Sequence, residues 1–310
     1  MNFLLAFLGL AILVGAGDAL VRGAVNLSLR LGVPAFIVSL TVVAFGTSAP
    51  ELLISIDAIL ADAPGIALGN VVGSNTANIM LVLGLPALLF VLDTSRSEVQ
   101  KTYLTMLGVT VLFIALGFIG PYTWWTGLIL LAVLAIILAD QYREGVKQRV
   151  RPEEVEGASP DMPGWKVAAF LIVGLIGLPV GAHILIGSAQ AIAEGFGISD
   201  AVIGLTLVAI GTSLPELATT IAAARKDEAD VALGNAIGSN LFNLLAIIGI
   251  ASLVGDIPAD ASFLRLDFWV MLGASILLAP FIFTRARMGR LVGLAFCALY
   301  AIYLGAVVSA

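Results

Sequence analysis

The sequence predicts an all-α membrane protein, with ten transmembrane helices arranged as two inverted five-helix repeats. Three observations predict it. The chain has 310 residues, of which 60% are hydrophobic and 12% charged, and a mean hydropathy of +1.08, whereas soluble domains carry about 25% charged residues. Its apolar stretches are long enough to cross a bilayer. A pair of motifs also recurs at one fixed interval.

A span needs about 20 mostly apolar residues, because the hydrocarbon is about 30 Å thick and a helix rises about 1.5 Å per residue. Ten stretches qualify, near 3–29, 33–60, 65–91, 100–118, 122–141, 165–195, 199–224, 230–254, 264–284 and 289–309. The first lacks the basic start and cleavage site of a signal peptide, so it is expected to stay in the mature protein. Lys and Arg favour the cytoplasmic side of a membrane. Of the 15 Lys and Arg residues, all but Arg265 fall in alternate gaps: Arg22 and Arg30, then Arg96 and Lys101, then Arg143, Lys147, Arg149, Arg151 and Lys166, then Arg225 and Lys226, then Arg285, Arg287 and Arg290. A missed or invented helix would scramble that alternation. Both termini are therefore expected outside, in a multi-pass protein of the plasma (inner) membrane.

Sliding the chain by 165 residues aligns GTSAPELLISI (46–56) with GTSLPELATTI (211–221), and LGNVVGSNTANIMLVLG (68–84) with LGNAIGSNLFNLLAIIG (233–249). No gap is needed. Each copy belongs to a unit of five spans, and an odd number makes the second unit enter the membrane upside down. Inverted repeats of this kind put a binding site near the bilayer midplane where the halves meet. The predicted division is a first repeat over 1–139, a polar cytoplasmic linker over 140–164 with no ligand spacing, and a second repeat over 165–310.

Glu51 and Glu216 fall deep in the second and seventh spans, where an ionised carboxylate costs at least about 2.5–3.5 kcal/mol. A single such Glu is as readily structural as functional; two in inverted copies are brought toward a common centre, where facing carboxylates make a divalent-cation site. Pro50 and Pro215 have no N–H for the carbonyls of Gly46 and Gly211, so those oxygens become free ligands. Thr47, Ser48, Thr212 and Ser213 add hydroxyls at this break. Irregular backbone at such depth is tolerated only against protein or a water-filled cavity. Ser74 and Asn78 share one helical face, as do Ser239 and Asn243, and these four are the preferred ligands of the second motif. Asn70, Asn75, Asn235 and Asn240 are expected to divide between bridging helices and binding ions. A set of carboxylate, carbonyl, amide and hydroxyl oxygens without His or Cys suits Ca²⁺ before Mg²⁺, Mn²⁺ or Zn²⁺.

Composition removes several other classes. The net charge of −6, from 15 basic and 21 acidic residues, offers no basic face for nucleic acid. Cys297 stands alone and permits no internal disulfide, and His183 is a single His. An intramembrane hydrolase using the two Glu as acid and base lacks HExxH or another metal-protease motif. No cofactor and no obligate protein partner is called for, only ions and the lipid bilayer. Asp18 and Arg22 have the spacing of a helical ion pair, and His183 stands at the repeat position of Asp18, where helix packing is the ordinary role. Asp57 has Ala222 as its counterpart and lies near the outer mouth. The PYTWW segment (121–125) reads as an interfacial aromatic belt.

At the paired motifs GTSAPE with GNVVGSNTAN and GTSLPE with GNAIGSNLFN, the chain resembles the cation/Ca²⁺ exchanger superfamily, in its prokaryotic Na⁺/Ca²⁺ exchanger branch. The resemblance covers essentially all ten spans. It implies a secondary antiporter, not an enzyme, that exchanges Ca²⁺ for Na⁺ by alternating access. It also implies a central Ca²⁺ site on Glu51 and Glu216, Na⁺ sites using Thr47, Ser48, Ser74, Thr212, Ser213 and Ser239, and first and sixth spans that slide over a fixed core. Many relatives of that kind carry Asp in one repeat where this chain has Asn78 and Asn243. That departure leaves a H⁺/Ca²⁺ antiporter of the same fold as the alternative. A cation channel is the rival from another class, although pores usually draw on several subunits.

Overall fold

The computed structural model of the protein describes residues 2–33, 35–94, 99–147, 162–195 and 211–309. Its principal helices are α1 (Asn2–Leu31), α2 (Ala49–Leu60), α3 (Pro64–Ala77), α4 (Gln100–Ile119), α5 (Trp124–Lys147), α6 (Gly164–Gly195), α7 (Leu214–Arg225), α8 (Ala229–Phe242), α9 (Phe268–Leu277) and α10 (Arg290–Ser309). Among the described residues, eight helical runs are long and apolar enough to cross a bilayer, and nine if Ser39–Thr47 and Ala49–Leu60, bent by 45°, form one span. The first part of the expected seventh span and most of the expected linker, residues 148–161, lie outside the described residues. α5 continues to Lys147, so the polar connector starts as helix.

Contacts between the helix ends sort the connections onto two faces. On one, Arg22 of the first connection shares Asp18 with Arg225 and Lys226 of the seventh, and Arg30 donates to the Met162 carbonyl before α6. Lys101 pairs with Asp140 at 2.8 Å, and Arg287 with Asp93 at 2.9 Å. On the other, the Tyr122 and Ile257 backbones exchange hydrogen bonds of 2.8 and 2.9 Å, and Gly255 packs on Ile59. The gaps that share the positive charges in the sequence thus meet in space.

The two halves repeat one another's local structure at the same interval of 165 residues: Ala49–Leu60 recurs as Leu214–Arg225, Pro64–Ala77 as Ala229–Phe242, and the π-helical turn Asn78–Val82 as Asn243–Ile247. Even the backbone exceptions recur. Asp62 and Asp227 end α2 and α7 in the left-handed region at φ 59° and 58°, a conformation that Asp tolerates better than most side chains.

Burial places α3 and α8 at the centre. The best apolar windows of Pro64–Leu89 and Ala229–Val254 are 78% and 83% buried, against 22% for Gly164–Ser188 and 17% for Arg290–Val307. α8 lies so close to the helix before α2 that a Cβ on Gly238 would sit 2.5 Å from the Leu40 carbonyl oxygen. α1 and α6 run along one another outside this core on a seam of small residues, where a Cβ on Gly181 would meet the Leu13 nitrogen at 2.9 Å. Outward faces carry side chains such as Phe3, Phe7, Ile119 and Leu291, all more than two-thirds exposed. Apolar surface on this scale calls for lipid. Trp124 and Trp125 are exposed beside the Tyr122 connection, at the place expected of an interfacial belt.

Candidate ion-binding site

Ser48 (φ −85°, ψ 2°) stops one helix and starts α2, with Pro50 in the first turn, as expected from the proline; Ser213 (φ −86°, ψ 5°) starts α7 with the same backbone angles and Pro215 in the first turn, and the residues before 211 lie outside the described residues. Glu51 and Glu216 stand in the first turns of α2 and α7 and are each only 1% exposed. Acidic side chains are favoured at helix N-termini, where unpaired N–H groups concentrate positive potential. Gly46 packs against Leu175 and Gly211 against Ile186, both on α6.

The two carboxylates lie close enough across the repeats for the charge of Glu216 to be felt at Glu51. Ser48 Oγ, from the first copy, donates to Glu216 Oε1, from the second, at 3.3 Å. Thr47 and Ser239 also lie beside Glu216, Ser239 without a well-formed hydrogen bond. Thr47 Oγ1 approaches Asn235 Oδ1 at 3.4 Å. Ser74, Asn78, Thr212, Ser213 and Asn243 are all buried on the same helices.

Unpartnered atoms mark the centre more sharply than any distance. Buried polar atoms normally find hydrogen-bond partners, and an unmatched one costs about 1–3 kcal/mol. Among the described residues, those without one are both carboxylate oxygens of Glu51, Glu216 Oε2, Ser213 Oγ, Ser239 Oγ, Asn75 Oδ1, Asn78 Oδ1 and both amide atoms of Asn243, with Thr123 Oγ1 the sole member from elsewhere. Oxygens predominate, and two of the residues are acidic. No basic side chain forms an ion pair with either Glu among the described residues. Such a set has the oxygen-rich donor chemistry that Ca²⁺ and Na⁺ take. The π-helical turns add to this, since Asn78 and Asn243 each open one and π-bulges concentrate at functional sites.

The remaining motif asparagines serve the framework. Asn70 Nδ2 donates to the Glu51 carbonyl and to Ser55 Oγ, both at 3.2 Å. Asn235 Nδ2 repeats this with the Glu216 carbonyl and Thr220 Oγ1, both at 3.1 Å. Ser55 and Thr220 escaped the sequence reading, although each stands four residues after its Glu and so on the same helical face. Asn75 and Asn240 bridge α3 to α8. Asp18 keeps the expected pair with Arg22 at 2.9 Å and gains Arg225 at 2.7 Å and Lys226 at 2.9 Å. His183 is exposed on α6, and Asp57 on α2.

Residues 1–143 and 166–309 match the model of the sodium/calcium exchanger protein family. The chain belongs to the sodium/calcium exchanger family. Among similar family members, the sodium/calcium exchanger MaX1 of Methanosarcina acetivorans is 33% identical, over 98% of this chain and 97% of its own length. The putative antiporter CaxA of Alkalimonas amylolytica is 34% identical over 91% of this chain and 89% of its own. The solved structure of the sodium-calcium exchanger NCX_Mj soaked with Na⁺ and Ca²⁺ aligns with a TM-score of 0.84 at 35% identity, covering 98% of this chain and 97% of that one. The exchanger family thus spans both halves of the chain, and the duplicated carboxylates fall within the matched residues.

Proposed function

We propose that this protein is a secondary antiporter that exchanges Ca²⁺ for Na⁺ by alternating access. One observation carries the reading: among the described residues, Glu51 and Glu216 are buried without an ion pair to a basic side chain, and three of their four carboxylate oxygens are unmatched. Ca²⁺ takes about 6–8 oxygens in irregular geometry. Glu51 and Glu216 hold it, with oxygens from Thr47, Ser48, Ser74, Asn78, Thr212, Ser213, Ser239, Asn243 and the carbonyls of Gly46 and Gly211 shared between Ca²⁺ and Na⁺. Membership of the family and the likeness to the sodium/calcium exchangers MaX1 and NCX_Mj support Na⁺ as counter-ion.

Charge governs the cycle. One Ca²⁺ neutralises two ionised carboxylates, and Na⁺ ions do the same from the opposite side. The empty site holds two negative charges, which resist burial, so the carrier turns when loaded and exchange replaces leak. With three Na⁺ for one Ca²⁺ each cycle moves one charge, worth about 2.3 kcal/mol per 100 mV. The chain is placed in the plasma membrane as two inverted five-helix repeats, residues 1–139 and 165–310, joined by the 140–164 segment on the cytoplasmic side, with both termini outside. The 165-residue recurrence of helices, caps and π-turns supports the repeat. The small-residue seam between α1 and α6 supports those two helices as the part that slides.

Vesicles containing the purified protein test this directly. Loaded with Na⁺ and diluted into Na⁺-free buffer at equal pH, they are expected to accumulate radioactive Ca²⁺. Uptake driven only by a pH gradient, with no response to Na⁺, would replace Na⁺ by H⁺. Ca²⁺ entry without any counter-ion would defeat exchange altogether.

A further inference from the structure

The bonds that join α3 to α8 also determine which atom of a site amide faces the ions. Asn75 Nδ2 donates to the main-chain carbonyl of Asn240 at 3.2 Å, and Asn240 Nδ2 donates to that of Asn75 at 3.2 Å. A carbonyl only accepts, so each side chain must turn its nitrogen toward the partner backbone. The Asn240 nitrogen also reaches Met106 Sδ at 3.8 Å, which leaves its Oδ1, and this atom lies 3.1 Å from Asn78 Nδ2. An oxygen facing an amide requires the nitrogen of that amide. The Asn78 nitrogen is thereby engaged, and its Oδ1, buried and unmatched, points the other way.

We infer that Asn240 is a positioning residue for ion binding: by accepting from Asn78 Nδ2 it presents the Asn78 oxygen, and not its NH₂, to the bound cation. The inference rests on the proposed antiport. A primary amide has nearly the same shape either way round, so packing alone does not choose its orientation, while an NH₂ turned toward Ca²⁺ or Na⁺ would repel it. The repeat counterpart supplies a contrast. Asn75 is the counterpart of Asn240 and Asn243 that of Asn78, yet Asn75 Oδ1 and both Asn243 amide atoms have no partner among the described residues. The orienting bond is made on the Asn78 side and open on the Asn243 side, so Asn78 is the better-defined ligand of the two.

The test is a two-residue cycle in vesicles, reading KM for Ca²⁺ separately from maximal uptake. Asn240→Ala is expected to raise KM about tenfold, the scale of one misdirected buried polar group, with maximal uptake changed less than about twofold. In an Asn78→Ala background, where no amide needs orienting, the same change should raise KM less than about twofold. Full additivity of the two effects would overturn the inference. Asn240→Asp keeps the acceptor for Asn78 but loses the donor to Asn75, so KM should not rise; a rise equal to that of Asn240→Ala would reduce Asn240 to a helix clasp and overturn the positioning role. Should Asn240→Ala fail to reach the membrane, the Asp variant decides alone: a KM within about twofold of wild type supports the positioning role, and a rise of about tenfold overturns it. Ca²⁺-induced thermal stabilisation of purified wild-type protein separates the two levels: stabilisation without Na⁺-driven uptake sinks the antiport, whereas both present with an unchanged Asn240→Ala KM sinks only this inference.

Discussion

At the asparagines that brace the two Glu-bearing helices the copies make the same bonds, while farther out they part. Asn70 reaches the Glu51 carbonyl and Ser55 just as Asn235 reaches the Glu216 carbonyl and Thr220. Asp18, in contrast, gathers Arg22, Arg225 and Lys226, while its counterpart His183 is exposed. At the interval of 165 residues those three cations correspond to Gly187, Leu60 and Ala61, none of which carries charge. A centre shared by both halves constrains both copies alike. Away from that centre the two copies meet different neighbours, and each is free to answer to its own surroundings.

The strongest way to break the claim of a shared centre is at the carboxylates. Glu51→Gln and Glu216→Gln are each expected to lower Ca²⁺ exchange at least about a hundredfold, since each removes a buried charge from the pair at a cost of about 3–5 kcal/mol to the loaded state. The double variant should be no worse than either single one. Without Ca²⁺, thermal unfolding of the Gln variants should match or exceed wild type, because the mutual repulsion is gone. Wild-type uptake by one variant alongside loss in the other would show that the halves do not share the ion. The asparagines sharpen the same comparison. Asn70→Leu removes the amide donor to the Glu51 carbonyl and Ser55, and Asn235→Leu the one to the Glu216 carbonyl and Thr220, which stay bonded to each other at 2.8 Å; each should raise KM for Ca²⁺ up to about tenfold. Effects differing by more than about tenfold between the two would mean that matched geometry does not imply matched function.

These parts were legible in the sequence to different degrees, for physical reasons. The prolines announced their break because a missing N–H acts locally, and Ser48 and Ser213 indeed depart from helical angles there. The gaps carrying Lys and Arg were told apart by charge, and the structure brings them onto one face. Ser55 and Thr220 were missed since a hydroxyl within a helix usually bonds to its own backbone; their role depends on an Asn arriving from another helix. The union of Arg225 and Lys226 with Asp18 was hidden for the same reason. Only Arg22 lies within a helical turn of Asp18, whereas the other partners stand more than 200 positions away along the chain.

The smallest expected effect concerns that union. Arg22 and Arg225 side chains are 56% and 50% exposed, but Lys226 and Asp18 only 24% and 22%. Solvent weakens the first two pairs, so most of the interaction resides in the Lys226 contact, which also includes a hydrogen bond of 3.1 Å to the Asp18 carbonyl. Asp18→Asn should therefore destabilise by no more than about 1 kcal/mol, seen as a Tm lower by about 2 °C. The loss should shrink as ionic strength rises, because the arginines sit where salt screens them. His183→Asn, altering the exposed counterpart, should leave Tm unchanged. Because Asp18 ties α1 to the end of α7, its removal should also loosen the helix proposed to slide, and maximal exchange should move more than KM. An equal response to both substitutions would erase the difference between the two ends; a KM effect at Asp18 as large as that at Asn70 would extend the ion site to the surface of the protein.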